Sequence, residues 1–505
     1  MTPTLGEALA RQAARADLRG RPFILTDGDA ITFGDLDRLA ARVAGRLAEA
    51  GVRPGDVVSA LLPNSPAFVV DMFGAYRAGA RFCPLNPRLT PTEIRFQLAD
   101  SGARVVVTDA EHAPLFARLA AELPSLAHVL VLADREDLAG LPDPPGAAPS
   151  AVEDPDAVAL VMYTSGTTGS PKGVMLSHRN VLLNASQVME RSEVTADDRV
   201  LHIMPLFHTN GIVNTTVGPL LAGASIALRP RFDLADFWPA VARFRPTYFT
   251  GVPTVYSRLL AAPDPGLDRS SLRFVRCGSA PMPVELQERV EAWLGVPVVI
   301  SYGLAEGTCT STMNPVSGRR KVGSVGLPLS GQEVRIHDDA GRELPAGTVG
   351  EVCIRGGTVM QGYLNRPEET AAVLRDGWLR SGDLGYLDAD GYLFLTDRKK
   401  DIIIRGGENI SAREVEDVLY RHPAVLEAAV VGAPDPDLGE QPVACVVPRP
   451  GATIDAGELI EFCRERLARF KTPRRVVVLD DLPKNGVGKI VKAALRERVG
   501  GGSAP

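Results

Sequence analysis

The chain has 505 residues, too many for one hydrophobic core, and its 45% hydrophobic and 23% charged content is that of an ordinary globular protein of two or more domains. The formal net charge of -6 leaves no basic surplus to neutralise nucleic-acid phosphates, and no apolar run approaches the roughly 18 residues of a membrane helix. The first residues lack a signal-peptide core, and Cys83, Cys277, Cys309, Cys353, Cys445 and Cys463 show no paired spacing, so the expectation is a reducing cytoplasm and no cysteine metal site.

The first part of the chain alternates helices with strands. Residues 4–14 are helical in pattern, 31–33 read as a short strand, and 35–50 form an amphipathic helix stopped by Gly51. Residues 57–62 read as a buried strand. Asn64 and Ser65 can cap a helix that starts at Pro66 and runs to about residue 78. Another strand spans 105–108, and residues 140–150 form a Pro-rich surface connector. This punctuation is α/β, with helices covering a largely parallel sheet.

After the strand 158–162 comes Tyr163-Thr164-Ser165-Gly166-Thr167-Thr168-Gly169-Ser170-Pro171-Lys172-Gly173. Glycines let backbone N–H groups close around an anion, Ser and Thr add rotatable donors, and lysine adds a point charge. Such a loop suits polyphosphate. It is not a Walker A loop, because no Gly-Lys-Ser/Thr ending is present. Only eight of the 55 basic residues are lysine, so each one marks a place where the compact ammonium is more apt to matter than generic charge.

The stretch resembles the nucleotide-binding signature of the acyl-adenylate-forming superfamily, which holds acyl-CoA synthetases, peptide-synthetase adenylation domains and luciferases. Further stretches match in the same order. Met204-Pro205-Leu206-Phe207-His208 resembles the segment that sets a ring, here His208, beside the carboxylate to be activated. Residues 247–254 match a segment lining the acyl pocket. Gly278-Ser279-Ala280-Pro281 resembles the turn that seats the adenine. Ser301-Tyr302-Gly303-Leu304-Ala305-Glu306 is similar to the family's Tyr-Gly-x-Thr-Glu stretch, in which the tyrosine stacks on the base and the glutamate helps hold Mg²⁺. Here Ala305 replaces the threonine that would touch the α-phosphate. Asp383 occupies the position that holds the ribose hydroxyls, with Arg398 beside it. Lys400 matches the hinge, Gly406 and Gly407 the path of the thiol, and Lys489 the lysine that reaches the α-phosphate during adenylation.

The resemblance implies a large N-terminal domain of sheets flanked by helices, residues 1–397. A smaller α+β C-terminal domain, residues 398–505, would follow across a hinge. It implies catalytic roles for Thr164, His208, Glu306 and Lys489. Nucleotide contacts would come from Thr164, Ser165, Gly166, Thr167, Thr168, Gly169, Lys172, Gly278 to Pro281, Ser301 to Ala305, Asp383, Arg398 and Lys489. Acyl-pocket candidates are His208, Asn210, Thr250, Ser279, Ala305 and Cys309, all small or polar, with no obvious cation for a second carboxylate. The implied substrates are ATP, a small carboxylic acid and CoA, with Mg²⁺ on Glu306. A carrier protein or an amine is the alternative acceptor, nitrite-dependent N–N bond formation a more distant one, and a non-catalytic AMP binder the reading from another class.

In the C-terminal part, residues 384–396 read as a hairpin around Asp388-Ala389-Asp390-Gly391. Ser411 and Glu414 read as a capping box opening a helix. Strands are expected at 428–431 and 443–447, a helix at 456–468, and a disordered tail from Gly500.

Overall fold

The computed structural model describes residues 3–143, 154–164, 171–262, 266–486 and 488–500. Within them the strands form four sheets. A nine-stranded sheet has at its centre the parallel strands Pro22–Leu25, Ser225–Leu228, Arg199–His202, Tyr248–Gly251, Phe274–Cys277 and Val298–Tyr302. A seven-stranded sheet runs parallel through His128–Val131, Ala103–Thr108, Val57–Leu61, Arg81–Pro84 and Val158–Thr164. It ends in the antiparallel strands Lys172–Ser177 and Gly362–Tyr363.

The largest apolar cluster takes side chains from both sheets and from the helices between them, Leu5–Ala14, Phe33–Glu49, Pro66–Arg77 and His178–Arg191. Pro66–Arg77 is buried along Ala67–Tyr76, as expected of a helix that is apolar on every side. The strand Val57–Leu61 divides its residues by the two-residue period. Val58 and Ala60 face the central cluster, while Val57 and Leu61 face a second cluster under Pro91–Ser101 and Ala113–Glu122.

A five-stranded antiparallel sheet follows, ending in the hairpin Trp378–Leu387 and Leu393–Arg398. The next strand, Ile403–Arg405, belongs to the separate C-terminal sheet, so the chain changes sheet within the short turn Lys399–Asp401. The C-terminal sheet pairs Val425–Asp435 with Gly439–Pro448 and is covered by Ala412–Leu419 and Ala456–Arg464. None of the described helices is long and apolar enough to cross a membrane.

Three local expectations are corrected. Phe33 opens a helix rather than ending a strand, because Thr32 and Asp35 form a reciprocal capping box. Ser411 caps its helix by accepting the Glu414 N–H at 3.2 Å, but the Glu414 carboxylate accepts from Lys471 Nζ at 2.7 and 2.8 Å instead of closing the box. The helix expected over 456–468 stops at Arg464. Residues 144–150 of the connector and 501–505 of the tail lie outside the described residues.

Candidate active site

In sheets of this kind ligands bind beyond the carboxyl ends of the parallel strands. The motif residues collect there: Thr164 ends one strand of the seven-stranded sheet, and Thr250, Gly278 and Tyr302 end or follow strands of the nine-stranded sheet. Thr164 and Lys172 face each other across an antiparallel pair, which holds the two flanks of the motif side by side. Ser165, Gly166, Thr167, Thr168 and Gly169 lie outside the described residues.

The turn after Phe274–Cys277 carries Gly278 to Pro281, with Ser279 in the left-handed region at φ 65°. Ser301 Oγ reaches back to the Cys277 carbonyl at 3.5 Å. At Gly303 there is no room for a side chain, because a Cβ would overlap the Cys309 carbonyl. Leu304 then caps a short 3-10 turn, Ala305–Gly307.

Asp383 is buried and held from two sides. Tyr302 donates its hydroxyl to Asp383 Oδ2 at 2.7 Å, and Arg398 Nε forms an ion pair with Oδ1 at 2.8 Å. The hairpin register places Asp383 directly opposite Arg398. Three motif residues distant in sequence thus form one cluster.

Lys489 completes it from the far end of the chain. Its loop is shaped locally, because Asn485 N–H donates to the Lys489 carbonyl at 2.9 Å and Lys489 N–H to Asn485 Oδ1 at 3.0 Å. It docks on the large domain through Thr254, whose hydroxyl donates to the Gly488 carbonyl at 3.3 Å, and through Gly486 against Phe207. Burial, then the Arg398 guanidinium, hold the Lys489 ammonium down to about 8. Burial and the Lys489 charge together push His208 down to about 4, so its ring is neutral at pH 7. His208 Nδ1 is buried and has no hydrogen-bond partner among the described residues.

The sequence reading missed the neighbours of Lys172 and Glu306. Tyr363 donates its hydroxyl to Glu306 Oε1 at 2.8 Å, and Lys172 Nζ stands 5.1 Å from the Tyr363 ring centroid while ion-pairing with Glu369. No motif marks Tyr363 or Glu369, since both arrive through the strand Gly362–Tyr363 and the helix Pro367–Val373. Lys172, Glu306 and Tyr363 line a cavity of about 440 Å³ with Ser381 and Arg380.

No group of three or more His, Cys, Asp or Glu side chains that could hold a metal occurs among the described residues. The site nevertheless fits Mg²⁺, which prefers one or two carboxylates and completes its shell with phosphate oxygens and water. Glu306 commits Oε1 to Tyr363 and faces the same cavity as Lys172.

The other candidates divide. Asn210 opens the π-helix Asn210–Val217, with Oδ1 buried and unpartnered among the described residues. Thr250 and Cys309 are brought near Asn214 by Arg276 and by the thiol's own hydrogen bonds. Arg276, which the sequence reading did not single out, is a fully buried guanidinium on the strand ending at Cys277. Lys400 sits in the inter-sheet turn. Gly406 and Gly407 form the turn of a C-terminal hairpin, and Gly406 N–H donates to the Leu438 carbonyl at 2.8 Å.

The sequence profile of the AMP-binding enzyme family matches residues 9–364, and that of the AMP-binding enzyme C-terminal domain matches residues 414–489. The chain belongs to the AMP-binding enzyme family. It is 42% identical over 475 residues to a feruloyl-CoA synthase of an Amycolatopsis species, covering 94% of this chain and 95% of that one. It is 39% identical over 498 residues to the sulfoacetate–CoA ligase of Cupriavidus necator, covering 97% of both. Among solved structures, ATP-bound MatB from Rhodopseudomonas palustris superposes with a TM-score of 0.89 at 34% identity, covering 98% of both chains. The apo form of the same protein, at the same identity and coverage, gives 0.79.

Proposed function

We propose that this cleft joins ATP to a carboxylic acid and that Asp383, Arg398, Glu306, His208, Lys172 and Lys489 are its working residues. The chain is an AMP-forming acyl-CoA synthetase, converting ATP, a carboxylic acid and CoA into acyl-CoA, AMP and pyrophosphate. The carboxylate oxygen bonds to the α-phosphorus as the bond to pyrophosphate breaks. The CoA sulfur then bonds to the acyl carbon and AMP leaves with the electron pair.

The observation that carries the residue assignment is the meeting of Lys489 with the Asp383–Arg398 pair and His208. An anion must approach a polyanion in the first step. A partly desolvated ammonium at that point stabilises the developing charge far more than the same group in water. Asp383 accepts the ribose hydroxyls, Lys172 leaves Glu369 for pyrophosphate oxygens, and neutral His208 sides the incoming carboxylate without competing for it as a cation. Mg²⁺ held through Glu306 would neutralise phosphate charge when bound. The higher TM-score to ATP-bound than to apo MatB supports reading this posture as the adenylating one. Rotation about Lys400 would then withdraw Lys489 and bring Gly406 and Gly407 to the cleft. The relatives' names support CoA rather than a carrier protein as acceptor, and six unpaired thiols support a cytoplasmic setting.

The test is a panel of carboxylic acids assayed for pyrophosphate release, with and without CoA, and for acyl-CoA product. Acid-dependent pyrophosphate and CoA-dependent thioester are expected. ATP binding without pyrophosphate release from any acid would make the chain a binder and end the reading.

Two further results are expected. Lys489 is charged below about pH 8 and neutral above it, so kcat/KM for adenylation falls as the pH rises through about 8. Lys489→Arg removes that alkaline limb, because a guanidinium stays charged. A pH profile of pyrophosphate release that is flat through this range in the wild type overturns the role of the ammonium.

The second concerns Ala305, which is half-buried and packs with Cys309 against the central apolar cluster. Ala305→Thr adds a hydroxyl and a methyl there. It lowers kcat/KM for a long acid by roughly tenfold, a cost of about 1–3 kcal/mol for overpacking, while sparing a short one. A uniform gain for both acids would mean instead that the threonine only restores a phosphate contact.

A further inference from the structure

Arg276 is the largest fully buried side chain among the described residues, and no carboxylate among them pairs with its charge. A guanidinium is always protonated, and buried charges are ordinarily paired. Arg276 instead spends its donors on neutral oxygens. Nε donates to Thr250 Oγ1 at 3.2 Å, Nη1 to Ser192 Oγ at 3.4 Å, and Nη2 to the Asn214 carbonyl at 3.2 Å. The face of Tyr248 lies 5.0 Å from its central carbon. No carboxylate pairs with it among the described residues, and the only neighbours with an electrostatic bearing on it are Tyr248, Cys309 and Tyr256. Three of five N–H donors are used, so two remain.

Two of its neighbours, Thr250 and Cys309, are pocket candidates from the sequence, and Thr209, Thr310 and Asn214 lie about the Cys309 thiol. Asn214 shares the π-helix with Asn210, two residues beyond His208, at the end where the reacting carboxylate sits. Asn210 Oδ1 and Asn214 Oδ1 are also buried without hydrogen-bond partners among the described residues, so the polar groups of this segment are not all satisfied within the fold. A π-helical segment is itself a recurrent feature of functional sites.

We infer that Arg276 is the specificity-determining residue of the pocket and that the native acid carries a second anionic group, a carboxylate or sulfonate, at the end away from the carboxylate that is adenylated. The inference rests on the synthetase reading above and names the substrate class of that site. An unneutralised guanidinium in a low-dielectric pocket attracts an anion strongly and gives an uncharged tail nothing in exchange for desolvation. The two relatives span the choice, for sulfoacetate has a second anionic group and ferulate an uncharged aromatic tail.

The experiment measures kcat/KM for acyl-CoA formation by the full-length wild type with sulfoacetate, malonate, succinate, butyrate and ferulate. At least one of the three dianions is expected to exceed butyrate and ferulate by about 100-fold or more, with the sulfonate and carboxylate arms telling which group is preferred. Arg276→Met lowers that ratio to near one, chiefly by raising KM for the dianion, while Arg276→Lys keeps part of the preference. Acyl-CoA formation from butyrate or ferulate at or above the dianion rates in the wild type overturns the inference and leaves the synthetase reading standing. No acyl-CoA from any acid removes both. Should Arg276→Met fail to fold, the wild-type ratio decides alone.

Discussion

Lys489→Ala will slow adenylate formation by about 10²–10³-fold, the usual loss when one preorganised donor to a developing charge is removed. CoA-dependent release of AMP from a synthetic acyl-adenylate will stay close to the wild-type rate. The asymmetry follows from position. Lys489 reaches the Asp383–Arg398 cluster only because its loop docks through Gly488 on Thr254 and Gly486 on Phe207, and the second step needs that loop gone. Lys400→Pro is the converse variant. Lys400 lies in the 3-10 turn Lys399–Asp401, and such turns have φ of about −50 to −70°, a range that proline holds. Proline therefore keeps the observed posture and denies the other, so adenylation survives and thioester formation falls. Separate assays of the two half-reactions decide. Equal loss of both steps in both variants would remove the alternation of domains from the mechanism.

Asp383→Ala will raise KM for ATP by about 10–100-fold, corresponding to the roughly 1.5–3 kcal/mol of a hydrogen bond to a charged group. The carboxylate does more than meet the nucleotide. It accepts from the Tyr302 hydroxyl and ion-pairs with Arg398 Nε, so its removal leaves a buried phenol and a guanidinium without their partner. Asp383→Asn keeps the shape and one acceptor, and its KM should fall between the two. KM for the acid should move little in either variant, since the acyl-pocket cluster of Asn214, Thr250 and Arg276 is bonded through other groups. ATP titrations of pyrophosphate release at saturating acid measure the effect, and an unchanged KM for ATP in Asp383→Ala refutes the assignment.

Much of this was legible in the chain. The α/β class, the strand that begins at Val158, the hairpin around Asp388–Gly391, and the Gly-Lys near the end all rest on short-range rules. Periodicity, capping and turn chemistry act over a few residues, and each of these motifs lies within one such stretch. Misplaced boundaries have the same origin. Phe33 and Glu414 sit where a local rule allows two partners, and the choice went to Asp35 in one case and to Lys471 in the other.

Only tertiary structure decided the electrostatics. A lysine in a Gly-Lys turn has an ordinary ammonium until folding packs it beside Arg398 and away from water. His208 becomes firmly neutral only because burial and Lys489 meet it from another domain. Tyr363 and Glu369 join Glu306 and Lys172 through pairings that no motif announces. Arg276 is the sharpest case. On the strand Phe274–Cys277 it reads as one more arginine in an arginine-rich chain, because a one-dimensional pattern does not say which face of a central strand is dry. The packing of Tyr248, Thr250 and Asn214 around it turns that arginine into a buried charge with no carboxylate partner among the described residues, and burial and pairing are properties of the assembled fold.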